Sequence, residues 1–173
     1  VNSASIGCHA PEFAKKPYEL TSAENKSWVD AFYEQASSYN VKFSRLVRFH
    51  YYSELYECAE VLRKHGVSGI FLTDRPAVSY RLPEDFKQEL KDRRYKHYQG
   101  LDLFRTDFGL EWLKEKRLDR KQLVELFDEY TQYDTPLVIY GHEYEYRDPE
   151  MYAMTESVLS VLIDELGFTC MMP

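Results

Sequence analysis

Two periodicities alternate along the chain. Short runs dominated by β-branched and other apolar residues, Ser3–His9, Arg45–His50, Gly69–Asp74, Leu101–Asp107 and Pro136–His142, predict buried strands, and Phe168–Met172 predicts a sixth. Between them the apolar positions fall at helical spacing. Thr21 and Glu24 are spaced as a capping box, and Trp28, Phe32, Gln35 and Tyr39 then give a mostly apolar face. Leu55, Cys58, Ala59 and Leu62 share one side of a second helix that Ser53 caps and Gly66 stops. Pro83 opens a third, and the basic run Lys91–Tyr98 reads as a solvated helix face. Leu123, Leu126, Phe127 and Tyr130 stripe a fourth that ends near Asp134 and Pro136. Asp148 and Pro149 start a fifth, carrying Val158, Val161, Leu162 and Leu166 as far as Gly167.

Strand then helix, repeated to the end, is the order of an α/β protein with parallel strands joined by right-handed crossovers. A (β/α) barrel and an open doubly wound sheet both satisfy it. No internal repeat and no Pro/Gly/Ser linker divides the 173 residues, so a single domain over 1–173 is expected. Composition narrows the partners. A formal net charge of −7 argues against general affinity for nucleic acid or an anionic membrane, either of which needs surplus Lys and Arg. No apolar run approaches the ~20 residues of a transmembrane helix. Cys8, Cys58 and Cys170 are odd in number and lack paired spacing, which predicts free thiols instead of a disulfide framework or zinc knuckle.

In both architectures ligands bind where the carboxyl ends of the strands converge. The predicted strands surface there in His9, His50, Asp74, Asp107, and His142 with Glu143. Each alone is an ordinary loop cap or hydrogen-bonding group; five together point to a shared site. Imidazoles and carboxylates in one cleft can bind a divalent metal ion or divide acid and base roles. Tyr51, Tyr52, Tyr80, Tyr144, Tyr146 and Trp112 lie close by in sequence, and aromatic faces beside hydrogen-bonding groups suit sugar rings. Glu145 is expected to be a bystander. No GxSxG nucleophile elbow and no glycine-rich phosphate loop occurs.

The order of these short motifs resembles the polysaccharide deacetylases, the NodB-homology family of carbohydrate esterases. The "IGCHAPEF" stretch is similar to the family's metal-binding strand end and supplies His9, with Phe13 standing where a second histidine is expected. The stretch "RFHY" matches an Arg, any residue, Pro, Tyr motif at Arg48 and Tyr51 and places His50 at the proline position. The stretch "DFGLEW" resembles an acidic motif through Asp107, Glu111 and Trp112, and "YGH" retains the last histidine as His142 with Tyr140 in place of leucine. The family's first strand, with two adjacent aspartates, has no counterpart.

The resemblance implies a distorted or incomplete (β/α) barrel and metal-assisted removal of acetyl groups from sugars, the metal being zinc or another transition ion. It assigns metal binding to His9 and His50, acid catalysis to His142 with Asp107 and Arg48 in support, and substrate contacts to Tyr51, Trp112, Glu143 and Asp74. The missing strand implies an upstream segment or a homo-oligomer covering the bare edge. Two other readings satisfy the same residues: a non-catalytic carbohydrate-binding or scaffold protein with a degenerate esterase cleft, and an unrelated (β/α) glycoside hydrolase using Asp107 and Glu143.

Overall fold

The apolar run that follows Gly66 becomes the middle of a sheet. A computed structural model describes residues 9–11, 15–39, 42–73 and 82–170, and the chain divides into two compact units, Val1–Arg105 and Thr106–Met172. In the first unit β1 (Leu46–Val47), β2 (Gly69–Leu72), β3 (Tyr95–Tyr98) and β4 (Leu101–Arg105) form a sheet of order β1-β2-β4-β3. The strands β1, β2 and β4 are parallel, as predicted. The central β2 is buried at Gly69, Ile70 and Leu72, which explains why its sequence reads as a continuous apolar run. Among the described residues the sheet stays open and closes no barrel.

One strand is antiparallel and lies where a helix face was predicted. The helix α3 (Glu84–Arg93) stops at Arg94, whose φ is +62°, and Tyr95–Tyr98 then pairs with β4 through a two-residue connection. Gln99 and Gly100 have φ of +48° and +79°, the left-handed pair demanded by a tight hairpin whose twist matches its strands. Four residues are too few to show a period, so cross-strand packing decides the state. Tyr95 lies against Phe104, and Tyr98 against Phe86 and Tyr56.

The helix α1 (Ser22–Ser38) begins with the expected box: Thr21 N–H donates to Glu24 Oε2 at 2.8 Å and Glu24 N–H to Thr21 Oγ1 at 3.3 Å. Its buried face is rotated from the predicted one, running through Asn25, Val29 and Tyr33, while Tyr39 is exposed. Asn25 holds that face because its amide is satisfied, donating to Pro17 O and accepting from Trp28 Nε1. The second helix is shorter than predicted. Ser53 does not cap it; its hydroxyl returns to His50 O at 2.8 Å, residues 50–58 form two 3-10 turns, and α2 spans only Ala59–Lys64. Leu55, Cys58, Ala59 and Leu62 nonetheless share the core with Ile70, Leu72, Leu101 and Leu103.

The second unit contains a two-residue parallel pairing of β5 (Phe108–Gly109) with β6 (Ile139–Tyr140), and helices α4 (Leu110–Lys116), α5 (Arg120–Asp128) and α6 (Pro149–Ser160). The α6 helix runs on into a single π turn, Val161–Glu165, before Gly167 at φ +71°. Phe108, Leu113, Leu123, Phe127, Val158 and Val161 form the core. The predicted terminal strand is not formed over Phe168–Cys170, and α5 ends at Asp128, short of Pro136. No helix among the described residues is long and apolar enough to cross a membrane. Asp119 caps α5, accepting from Gln122 N–H at 2.9 Å while Gln122 Oε1 accepts from Asp119 N–H. Asp119→Ala is expected to cost about 1 kcal/mol in denaturant unfolding, whereas Asp119→Ser should cost only a fraction of that.

Candidate functional site

His9 and His50 meet. The backbone N–H of His50 donates to His9 O at 2.8 Å, which brings two residues 41 positions apart side by side, and the rings lie with His9 Nε2 3.0 Å from His50 Nδ1. The far nitrogen of the first ring settles its tautomer. His9 Nδ1 is 2.9 Å from the carbonyl oxygen of Arg48, an acceptor only, so Nδ1 carries the proton and Nε2 presents its lone pair toward His50. His50 is held below the ordinary histidine range, first by burial and then by its neighbours His9, Arg48 and Lys16. A neutral His50 either donates Nδ1–H to His9 or, in its other tautomer, directs a second lone pair into the same space.

Two imidazole nitrogens 3.0 Å apart, one ring oriented by a backbone carbonyl, are the donor type a divalent ion takes when both present their lone pairs. They fit as part of a ligand set. Among the described residues no cluster of three or more His, Cys, Asp or Glu side chains is placed to hold a metal ion.

The segment that delivers His50 is conformationally unusual. Tyr51 and Tyr52 both have positive φ, +53° and +52°, and Leu55 follows at +33°. Left-handed backbone at consecutive tyrosines is uncommon because Cβ crowds the backbone there. The turn sets the Tyr51 ring edge-on to His50, with centroids 4.4 Å apart, and leaves Tyr51 45% exposed. Tyr18 also meets Tyr51 edge-on, and Lys16 Nζ lies 4.9 Å from the Tyr51 centroid. Arg48 stays close through Tyr52, its guanidinium 3.3 Å from the hydroxyl and over the ring. Asp74, the next predicted strand end, lies outside the described residues.

Asp107, Trp112, His142 and Glu143 belong to the second unit. Asp107 serves the β5–β6 pairing: its Oδ2 accepts from Val138 N–H at 2.8 Å and its own N–H donates to Val138 O at 2.9 Å. Trp112 stacks on Phe108, centroids 5.9 Å apart, with 40% of its surface exposed. Glu143 opens a 3-10 turn, Glu143–Arg147, that starts on His142.

Glu145, expected to stand aside, is the acid that holds His142. Its Oε1 is 2.7 Å from His142 Nδ1 and its Oε2 accepts the His142 backbone N–H at 2.9 Å, so both oxygens grip one residue. Burial alone would raise the Glu145 carboxyl. The two hydrogen bonds from His142 outweigh it and hold the carboxyl below the usual glutamate range. The ionised Glu145 accepts Nδ1–H, fixing the ring's orientation and leaving Nε2 as its chemically available nitrogen. Tyr144 stacks on the imidazole at 5.1 Å and Tyr140 meets it edge-on. Beside this pair is an open cleft of about 350 Å³ lined by Glu111, Lys114, Tyr144, Glu145 and Arg147 among others. A signal for Glu145 did exist in the sequence: an acid three residues after His142, the spacing of an N-terminal capping pair.

No family model, no curated protein and no solved structure matches this chain.

Proposed function

We propose that the chain is a carbohydrate-directed hydrolase of the polysaccharide deacetylase type, with the open parallel sheet as part of a distorted (β/α) barrel. The observation that carries this reading is the His9–His50 contact, two imidazoles from separate chain segments with one tautomer set by the Arg48 carbonyl. His9 and His50 would hold the divalent ion, zinc or another transition ion. Bound there, such an ion supplies polarisation of the acetyl carbonyl and a more acidic water.

The remaining work falls to the chain's own side chains. Within the second unit, His142 is held through Nδ1 by Glu145 and keeps Nε2 available for proton transfer. Glu145 acts through His142 and is a positioning residue. In the first unit the half-exposed Tyr51 ring is available to a sugar and Arg48 sets the His9 ring through its carbonyl; in the second unit Trp112 is the corresponding exposed aromatic.

Zinc stoichiometry after dialysis, together with acetate release from an acetylated oligosaccharide, tests the reading. Wild type should retain about one ion per chain, and His50→Ala should weaken retention by ~100-fold or more, beyond the ~10–100-fold that loss of an outer-shell partner costs. The low pKa of His50 sets the pH dependence. Ordinary histidine titrates near 6.5, and the folded-state value lies below it, so the neutral ligand form persists through neutral pH and metal binding falls only as pH drops toward that lowered folded-state value. Metal retention that is indifferent to both His9→Ala and His50→Ala would remove the reading.

A carbohydrate-binding module is the second reading, favoured by the exposed Tyr51 ring beside the histidines. Oligosaccharide binding by a protein that takes up no metal would select it.

A further inference from the structure

Beside the paired imidazoles the first unit carries a concentration of positive charge on an aromatic bed. The Lys16 ammonium lies 5.6 Å from the Tyr18 ring centroid and 4.9 Å from that of Tyr51. The rings are edge-on to each other, 6.2 Å between centroids, so the cation sits on both. Among the described residues it pairs with the Glu19 carboxylate, an exposed side chain at the long distance of 3.8 Å that also accepts from the Lys16 backbone N–H. Lys16 is held above the ordinary lysine range, first by its hydrogen bond with Tyr18, and it is therefore a permanent cation at neutral pH. Arg48 adds a second cation beside Tyr52. The field of this cluster reaches the imidazoles: Arg48 and Lys16 are both among the charges that lower His50.

We propose that this surface binds a saccharide carrying an anionic substituent, with the Tyr51 face stacking on the ring and the Lys16 ammonium pairing with the anion. The inference deepens the carbohydrate reading above and rests on it. Three features argue for it together. The left-handed turn at Tyr51 and Tyr52 holds an aromatic ring outward at a backbone cost that ordinary packing would not require. The cation is already positioned by two rings, so little side-chain freedom is lost when it pairs with a ligand. A neutral sugar would cover the ammonium and leave it only the long contact with exposed Glu19, whereas a carboxylate on the ring supplies a direct charge-assisted partner.

The test is titration calorimetry with trigalacturonate, its fully methyl-esterified form, N-acetylchitotriose and inorganic sulfate. Lys16→Gln and Tyr51→Asn serve as variants, asparagine being the residue that best keeps a left-handed backbone. Wild type should bind the acid about three- to tenfold more tightly than the ester at low salt, with the preference shrinking as salt rises. Lys16→Gln should erase that preference, and Tyr51→Asn should weaken acid and ester alike. Equal affinity for acid and ester, or a preference that survives Lys16→Gln, overturns the proposal. Sulfate binding as tightly as trigalacturonate also overturns it, by showing an anion site without a sugar. If N-acetylchitotriose binds while acid and ester do not differ, only the anionic assignment fails; if no saccharide binds at all, the carbohydrate reading fails with it.

Discussion

Phe127→Ala should destabilise the second unit by about 3–5 kcal/mol, the cost of deleting a fully buried ring from a core that relaxes only in part. Phe127 is 0% exposed and meets Phe108 edge-on with centroids 5.5 Å apart. Leu113, Leu123, Val158 and Val161 belong to the same buried cluster, so the cavity would be lined by groups drawn from α4, α5, α6 and the π turn. The two tryptophans give a reading specific to each unit, since Trp28 lies in the first and Trp112 in the second, stacked on Phe108. In a Trp28→Phe background, the fluorescence of Trp112 through a urea titration should show the full loss. A shift below about 1 kcal/mol would mean that Phe127 is not part of this core.

The second large effect is expected at Gly69. It begins the central strand β2, and a Cβ there would lie 2.8 Å from the backbone oxygen of Asp102, 2.8 Å from Leu46 Cδ2 and 2.9 Å from Phe104 Cε2. A leucine methyl can move; a carbonyl in the β2–β4 ladder cannot do so without loosening the pairing of Gly69 with Asp102. Gly69→Val should therefore cost about 3 kcal/mol or more, at or above the upper end of ordinary overpacking. Gly66 provides the contrast. Its φ of +82° places it left-handed with open space around a Cβ, and Gly66→Asn, which tolerates that backbone, should cost under about 1 kcal/mol. Thermal unfolding of both variants checks the pair, and equal losses would refute the close-approach argument for Gly69.

What could be read from the amino-acid pattern follows the physics of burial. Ile70 with Leu72 and Leu101 with Leu103 are i, i+2 pairs buried on one face of the sheet, and Phe71 packs against Phe104 on the other, so short apolar runs locate these strands well. The edge strand Tyr95–Tyr98 has no such run. Its pairing depends on the turn at Gln99 and Gly100 and on rings contributed from elsewhere, information that is not local. The buried face of α1 was misplaced because Asn25 counts as polar in any pattern, yet its amide is satisfied by Pro17 and Trp28 and is buried without penalty. The candidate site divides along the same line. His9 and His50 were both singled out as strand ends, and they meet although β1 stops at Val47 and the run before His9 lies outside the described residues, whereas Glu145 escaped because three residues of separation becomes a contact only once the chain turns in 3-10 fashion. Asp107 shows the converse: a strand-end acid can spend its oxygen on a neighbouring backbone N–H and serve the sheet.

The tight reversal at Gln99–Gly100 bears on how the chain finds its structure. Tyr98 and Leu101 are almost adjacent in the chain, so the β3–β4 ribbon closes at little entropic expense, while β2 and β1 must be recruited across long intervening segments. Assembly is thus favoured to begin at the antiparallel rim, with β4 serving as the template on which the parallel strands are laid down in succession.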